Sequence, residues 1–105
     1  MSLSNVSIYC VRSQAFQITV SGNTGQATFQ LYGHVKMIGI IPPSEDATFD
    51  YSITDSDGFG ISGATGQKGT TTSLEDTICY GTNTFTLANA TDGVYSVRVS
   101  AIASS

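Results

Sequence analysis

The chain has 105 residues and no internal repeat or linker, so its length suits one compact domain over residues 1–105. Hydrophobic residues make up 40% of it and charged residues 11%, whereas typical globular domains carry about 25% charged residues. Because surface helices usually carry many of those charges, the composition favours strands and tight turns. The net charge is −4 and the four basic residues are scattered, which argues against nucleic-acid binding.

No segment has the pattern of a secretion signal or a membrane span. The opening stretch, MSLSNVSIYC, lacks a positively charged start followed by an apolar run. No stretch approaches the roughly 20 apolar residues that cross a bilayer. We therefore expect synthesis in the cytoplasm and no membrane partner, an origin that also fits a component of a particle assembled inside the cell.

Two segments near the start alternate apolar and polar residues with period two, which is typical of half-buried strands. In FQITV (16–20) every second residue from Phe16 is apolar, and ATFQLYG (27–33) repeats the pattern from Ala27. The intervening SGNTGQ supplies Gly and Asn, which tolerate the backbone angles of a reversing turn. The pair predicts a hairpin.

The middle of the chain predicts three more strands. HVKMIGIIPP (34–43) alternates Val35, Met37 and Gly39 against Lys36, Ile38 and Ile40. Both faces are therefore candidates for burial, and the Pro42-Pro43 pair ends the strand. ATFDYSITD (47–55) alternates cleanly, and the turn at Asp57-Gly58 leads back through FGIS. This second pair predicts a hairpin.

Two segments downstream are less regular. GATGQKGTTTS (63–73) is rich in Gly and Thr and long for a hairpin turn, so it predicts a flexible loop that contacts a partner. In SLEDTICYG (73–81), Ser73 and Asp76 resemble a helix capping box, so a single helical turn and a strand remain alternative predictions.

The closing segment, TFTLANATDGVYSVRVSAI (84–102), predicts two strands around a turn at Asp92-Gly93. The faces of its last strand alternate as Tyr95, Val97, Val99 and Ala101 against Ser96, Arg98, Ser100 and Ile102. Short strands with turn signals about every 8 to 12 residues predict an all-β fold, an antiparallel β-sandwich (Ig-like or small barrel-like) of about seven to eight strands.

The stretch DSDGFGISG places Gly58, Gly60 and Gly63 in the G-x-G-x-x-G spacing of a dinucleotide-binding loop. Such a loop must run from a buried parallel strand into a helix, whereas the residues after Gly63 have no helical pattern. We therefore predict no cofactor. Asp57-Gly58 turns a hairpin instead, and the later glycines permit close packing or a mobile tip.

The remaining motifs assign no catalytic or metal-binding residue. Asp55 and Asp57 begin like a calcium loop, but its later ligands are missing, which favours a simple Asx-type turn. His34 lies in an apolar strand without a second histidine, and Ser62 lacks the spacing of a nucleophile elbow. We therefore predict no enzyme activity and, by elimination, a binding or structural role.

Two cysteines and two glycosylation motifs complete the candidates. Cys10 and Cys79 form no metal-ligand spacing, and we expect two buried free thiols, with a disulfide between them as the alternative. Asn5-Val-Ser7 and Asn89-Ala-Thr91 match N-glycosylation acceptors, which we interpret as chance matches in the absence of a secretion signal.

The order of segments from Gly33 to Val99, about two-thirds of the chain, resembles a group of small tailed-bacteriophage virion proteins. The resemblance lies in GHVKMIGIIPP, then ATFDYSITDSDGFGI, then a Gly-rich segment, then NTFTLANATDGVYSVRV. Its features are a Gly-led strand, a Pro-containing break, a Y-x-I-x-D-x-D-G hairpin and a closing strand pair around a polar turn.

This resemblance implies a non-enzymatic structural component of the virion. The role implied is a capsid decoration (cement) protein that stabilises the head, or a neck or tail component. It implies other virion proteins, such as the major capsid protein, as partners, a homo-oligomer such as a trimer or ring, and location in the virion after synthesis in the host cytoplasm. The short segment before Val6 departs from decoration proteins that grip a shell through a long N-terminal arm.

The alternative is a small carbohydrate- or ligand-binding β-sandwich module. Sugar sites present aromatic faces with polar groups nearby, and this chain has five Tyr, five Phe and no Trp. Most of the tyrosines fall in alternating strands, which favours core or sheet-face positions. The tyrosines are Tyr9, Tyr32, Tyr51, Tyr80 and Tyr95.

Overall fold

A computed structural model describes the backbone of residues 9–104 and the side chains of residues 12–102. Eight strands account for most of the described backbone, which includes no helix long and apolar enough to span a membrane. The strands are β1 Tyr9–Val20, β2 Gly25–Gln30, β3 Gly33–Ile41, β4 Thr48–Asp55, β5 Gly60–Lys68, β6 Thr71–Cys79, β7 Thr82–Ala88 and β8 Gly93–Ser104.

The strands form two four-stranded sheets, and every pairing is antiparallel. Sheet A has the order β1-β8-β3-β6, and sheet B has the order β2-β7-β4-β5. The prediction of an all-β antiparallel sandwich is confirmed. Burying one face of each sheet against the other explains the period-two alternation along the chain.

Aromatic contacts link the inner faces of the two sheets. Phe16 of sheet A lies 5.9 Å from Phe85 of sheet B between ring centroids, in an edge-on arrangement. Phe49 of sheet B meets Tyr95 of sheet A edge-on at 5.5 Å. The Tyr95 hydroxyl donates a hydrogen bond to the carbonyl of Thr91 at 2.7 Å, so its polar end is satisfied although the residue is fully buried.

Several predicted strand faces are confirmed. In β8, Tyr95, Val97 and Val99 are buried, and Arg98 between them is exposed. In β4, the alternate residues from Phe49 to Ile53 are buried, and β3 ends immediately before Pro42 as predicted. These strands have the clean alternation that a sheet with one buried face requires.

The predicted faces of β3 are wrong in part, because a β-bulge interrupts the strand. Against β8, Val35 pairs with Ala101 and Met37 pairs with Ser100, so Lys36 is an extra residue. The bulge moves the alternation by one position. Val35, Ile38 and Ile40 therefore share the core, and Met37 lies on the outer surface.

The predicted hairpin between the first two strands is also wrong. The chain reverses at residues 21–24, with Gly22 and Asn23 at positive φ, as the turn composition predicts. Beyond the turn, however, β1 enters sheet A and β2 enters sheet B. The closing strands β7 and β8 likewise separate into different sheets, whereas β4 and β5 form the predicted hairpin.

The predicted flexible loop at 63–73 is replaced by two strands. Residues 63–68 belong to β5, residues 71–73 begin β6, and only Gly69 and Thr70 lie between these two strands. Gly69, at positive φ, makes so short a connection possible. The same strand β6 decides between the alternatives for 73–81, because Ser73 and Asp76 lie in it and not in a helical turn.

Phe85→Ala is expected to lower the free energy of unfolding by about 3–5 kcal/mol, because it leaves a cavity between the sheets. Leu74→Ala, at a side chain 84% exposed on β6, is the matched control and is expected to change it by less than about 0.5 kcal/mol. Urea unfolding followed by circular dichroism measures both. Equal effects of the two substitutions would contradict this core.

Candidate functional site

The outer face of sheet A carries most of the exposed large apolar side chains in the described part of the chain. Five of the eight lie there, and the other three are on connections between strands. A soluble monomer rarely gathers such side chains on one face, and doing so is typical of a contact surface. We call these residues the apolar face; they are Met37 (37% exposed), Ile41 (58%), Leu74 (84%), Ile78 (40%) and Val94 (48%).

The outer face of sheet B is chemically different. Its outward positions on β2, β7 and β4 are dominated by hydroxyl and amide side chains, in cross-strand rows such as Gln26, Thr86 and Ser52. No large apolar side chain is exposed on the strands of this sheet within residues 12–102. The two outer faces are therefore unequal, because the exposed large apolar side chains on strands lie only on sheet A among the described residues.

Arg98 lies near the centre of the outer face of sheet A without a carboxylate partner. Its direct cross-strand neighbours are Ala15 on β1 and Gly39 on β3. The adjacent outward positions on its own strand are Ser96 and Ser100. Among the described residues no acidic group lies within salt-bridge distance of this guanidinium, which is exposed and available to a partner.

The small residues beside Arg98 leave an open groove of about 560 Å³. Ala15 and Gly39 form part of its floor, and Ile41, Thr72 and Arg98 also line it. A Cβ placed on Gly39 would meet no atom within 4 Å, and its φ is not positive. Neither backbone strain nor crowding therefore requires glycine here, although glycine in a strand interior weakens the strand.

Asp76, at the border of the outer face of sheet A, forms an ion pair with Lys36 and lies near His34. Asp76 Oδ1 lies 3.2 Å from Lys36 Nζ and 3.7 Å from His34 Nδ1. The hydrogen bond and charge of Lys36, followed by His34, lower the pKa of Asp76 below its usual value. His34 lies in β3, as the sequence predicts, and its side chain is exposed beside this ion pair.

The glycine-rich stretch forms the predicted hairpin. The chain passes from β4 through a turn into β5, with Gly58 at positive φ. Asp55 Oδ1 accepts hydrogen bonds from the backbone N–H of Asp57 at 3.0 Å and of Phe59 at 2.9 Å, which is the predicted Asx-type turn. A Cβ on Gly63 would lie 2.8 Å from the Tyr51 carbonyl oxygen, which confirms close packing there.

Other polar candidates make structural contacts. Ser62 Oγ donates to Glu75 Oε1 at 2.5 Å, and Ser73 Oγ donates to Glu75 Oε2, so the carboxylate links edge strands β5 and β6. Asn89 Nδ2 donates to Asp50 Oδ2 at 2.8 Å. The Asn5 motif lies outside the described residues. Within those described, no three His, Cys, Asp or Glu side chains are grouped to hold a metal ion.

The tyrosines divide between the core and one end of the sandwich. Tyr51 and Tyr95 are buried, as their strand positions predict. Tyr32 and Tyr80 are 57% and 70% exposed, on the connections β2–β3 and β6–β7. The side chain of Tyr9 lies outside those described.

The strand order separates the two cysteines. Cys79 is a free, buried thiol on edge strand β6, and Cys10 lies on the opposite edge strand β1. Strands β8 and β3 stand between them, so the two backbones are roughly 14 Å apart at about 4.8 Å per strand. Because a disulfide needs Cα atoms within about 7 Å, this chain cannot link them internally. The Cys10 side chain lies outside the described set.

No protein-family model matches the sequence, and no curated protein matches it. Among solved structures, the chain is similar to FLHE, with a TM-score of 0.46 and 7% identity over 89% of this chain and 96% of that one. It is also similar to the enzymatically active domain of Bacteriophage CBA120 tailspike protein 4, with a TM-score of 0.40 and 10% identity over 94% of this chain and 20% of that one.

A third similar structure is that of infectious bursal disease virus Gx strain, with a TM-score of 0.34 and 10% identity over 89% of this chain and 32% of that one. The chain thus spans about a fifth of the tailspike chain and a third of this one. The distant structural neighbours of this fold include phage and viral proteins, and at these scores they assign no activity.

The alternation of β8 predicts that Arg98 shares a face with Ser96 and Ser100, but it does not predict the isolation of Arg98 from acidic residues. That isolation depends on Ala15 and Gly39, which come from parts of the chain distant in sequence. Met37 was assigned to the wrong face because of the bulge, and Leu74 fell in the segment with two alternatives. The signal in the sequence for Met37 and Leu74 is an apolar residue in a short segment whose buried face the sequence alone does not decide.

Gly39→Ala is expected to raise the free energy of unfolding by about 0.5–1 kcal/mol, because it removes the flexibility of glycine at an uncrowded strand position. Gly63→Ala is the matched comparison and is expected to be destabilising, because its Cβ would crowd the Tyr51 carbonyl. Urea unfolding at one pH measures both. A loss of stability in Gly39→Ala would show that this glycine is needed for the fold.

The Cys79 thiol is expected to resist Ellman's reagent in the folded protein at pH 7.5, because it is buried and its pKa is raised by desolvation. Cys10→Ser leaves this thiol as the single reporter. Reaction should become complete only after denaturation in guanidinium chloride. Rapid reaction of the folded Cys10→Ser protein would contradict the burial of Cys79.

Proposed function

We propose that this protein is a non-enzymatic structural component of a tailed-bacteriophage virion, a capsid decoration protein that stabilises the head or a neck or tail component. It docks on another virion protein, such as the major capsid protein, through the apolar face of sheet A. The observation that carries the proposal is that the exposed large apolar side chains on strands and the unpaired Arg98 lie on this one face. The sequence resemblance from Gly33 to Val99 supplies the virion context.

The composition of this face supports docking on a protein. Contact surfaces are enriched in Met and Arg and are depleted of charged residues at their centre. Here Met37 pairs across the strands with Leu74, and Arg98 is the cation beside the groove. A carboxylate on the partner would form an ion pair with the Arg98 guanidinium, and the apolar surface nearby would exclude water from that pair in the complex.

The use of the acidic groups supports a non-enzymatic role. Glu45 Oε2 accepts from the backbone N–H of Thr70 at 3.1 Å, and Asp50 Oδ1 accepts from that of Gly66 at 2.8 Å. The side-chain hydrogen bonds from Thr70 to Glu45 and from Asn89 to Asp50, followed by these backbone hydrogen bonds, lower the pKa of both carboxyl groups. Groups that hold turns as stable carboxylates are suited to structure rather than to proton transfer at neutral pH.

A repeated assembly also suits the open edges of the sheets. Sheet A ends in β1, a twelve-residue edge strand whose ladder with β8 has no register shift. A long, regular edge can pair with a neighbouring chain, and symmetric neighbours would cover it in every copy. We propose a homo-oligomer, a trimer or ring, located in the virion after synthesis in the host cytoplasm.

The first test is an immunoblot of density-banded particles beside the soluble fraction of the same lysate. A band in intact particles at a constant ratio to the major capsid protein is expected, because the protein is proposed to be built into the virion. Signal confined to the soluble fraction would overturn the proposal.

Leu74→Asp is expected to reduce incorporation into particles at least about tenfold, because it buries a carboxylate in the apolar contact. Thr28→Asp, on the exposed edge strand of sheet B, is the matched control and should be incorporated normally. The same blot, normalised to the major capsid protein, measures both. Equal incorporation of the two would exclude the apolar face as the docking surface.

A further inference from the structure

All the exposed aromatic side chains among residues 12–102 lie on connections at one end of the sandwich. Tyr32 is 57% exposed, Phe59 71% and Tyr80 70%. They belong to the connections β2–β3, β4–β5 and β6–β7, which the antiparallel strand order brings to the same end. We call this the aromatic end. Every other described aromatic residue is buried or half-buried.

The opposite end has a different composition. Its four connections carry Pro42 and Pro43, Asn and Gly residues, and the acidic Glu45, Asp46 and Asp92. No aromatic residue occurs in any of them. The aromatic side chains are therefore not a general property of the turns of this protein.

Tyr32 is in contact with the connection that carries Tyr80. The connections that carry Tyr32 and Tyr80 meet through a hydrogen bond from the Leu31 N–H to the Gly81 carbonyl at 2.9 Å. Gly81 has positive φ, and a Cβ there would lie 3.3 Å from the Tyr32 hydroxyl oxygen and 3.7 Å from its Cζ. Tyr32 therefore lies against Gly81, the residue that follows Tyr80, and glycine leaves the space for its ring.

The third connection is also ordered before any ligand arrives. Phe59 N–H donates to Asp55 Oδ1 at 2.9 Å, and the Phe59 carbonyl accepts from Asp55 N–H at 2.9 Å. A backbone fixed on both sides limits the entropy that Phe59 would lose on binding. Aromatic side chains displayed on ordered turns offer rigid contact area at low entropic cost.

We propose that the aromatic end binds a neutral saccharide, with sugar rings stacked on Tyr32 and Tyr80 and with Phe59 at the border. Aromatic faces match the C–H faces of sugar rings, and polar groups nearby fix their hydroxyls. Gln30 and Thr82 supply amide and hydroxyl groups at this end, and Asp57 supplies a carboxylate that accepts from hydroxyls.

The surroundings favour a neutral sugar over other ligands. Asp55 and Asp57 on the same end repel anionic sugars. The exposed aliphatic side chains lie on sheet A, so the rings share this end with polar groups such as Gln30, Thr82 and Asp57, as a sugar site requires. The saccharide site uses a different surface from the apolar face, so it goes beyond the proposed docking function and does not depend on it.

The test uses the full chain and a panel of neutral oligosaccharides of glucose, galactose, mannose and N-acetylglucosamine. Binding is measured by isothermal titration calorimetry, with ¹H–¹⁵N spectra to locate the shifts. We expect at least one neutral sugar to bind and to move the amide signals of residues 31–32, 56–59 and 80–82. Absence of binding across the panel at millimolar sugar would overturn the proposal.

Tyr32→Ala and Tyr80→Ala are each expected to weaken that binding about tenfold or more, because each removes a stacking face. Tyr32→Phe keeps the ring and should retain binding within about threefold. Leu74→Ala, on the apolar face, is the control outside the site. Unchanged affinity in both Tyr→Ala variants, or loss in Leu74→Ala, would exclude the aromatic end.

Thermal melts of each variant show whether the fold is retained, and Tyr32→Phe separates stacking from any packing role of the hydroxyl against Gly81.

Shifts at the aromatic end with apolar peptides and none with sugars would assign this end to a protein contact. Particle incorporation is measured separately on Tyr80→Ala. Normal incorporation with lost sugar binding distinguishes this site from the docking surface.

Discussion

The aromatic contacts between the two sheets determine how the rest of the molecule is arranged. Phe16, Phe85, Phe49 and Tyr95 join the inner faces, with ring centroids at 5.5–5.9 Å across the sandwich. Because these side chains commit one face of β1, β4, β7 and β8 to the core, the outer faces, the edges and the two ends remain to contact other molecules. These surfaces differ in chemistry: sheet A exposes large apolar side chains, and sheet B exposes mainly hydroxyl and amide groups.

The sequence predicts the buried faces better than it predicts the sheets. Alternation with period two identifies the inward residues of β4 and β8, because every strand of a sandwich buries one side. The same alternation appears whether a turn joins paired strands or strands of opposite sheets. The turn at Gly22-Asn23 therefore predicts a reversal of the chain, but it does not show that β1 and β2 enter different sheets.

The candidate sites are less predictable, because they depend on which strands become neighbours. Arg98 can be placed on an outward face from the alternation of β8 alone. Its lack of a carboxylate neighbour follows from Ala15 and Gly39, which reach it only through the strand order. The extra residue at Lys36 similarly turns Met37 outward, and no local pattern in HVKMIGIIPP signals that bulge.

Gly39 is a glycine that neither crowding nor a positive φ requires. Glycine inside a central strand loses more conformational freedom on folding than other residues and adds no side chain to the sheet. Elsewhere in this chain, as at Gly63, a nearby carbonyl explains the glycine, whereas the space above Gly39 is empty. A residue that lowers stability without a structural requirement for it is typical of a functional surface. The proposed docking function would account for the glycine, because a side chain at position 39 would occupy the groove beside Arg98 that the proposed partner needs.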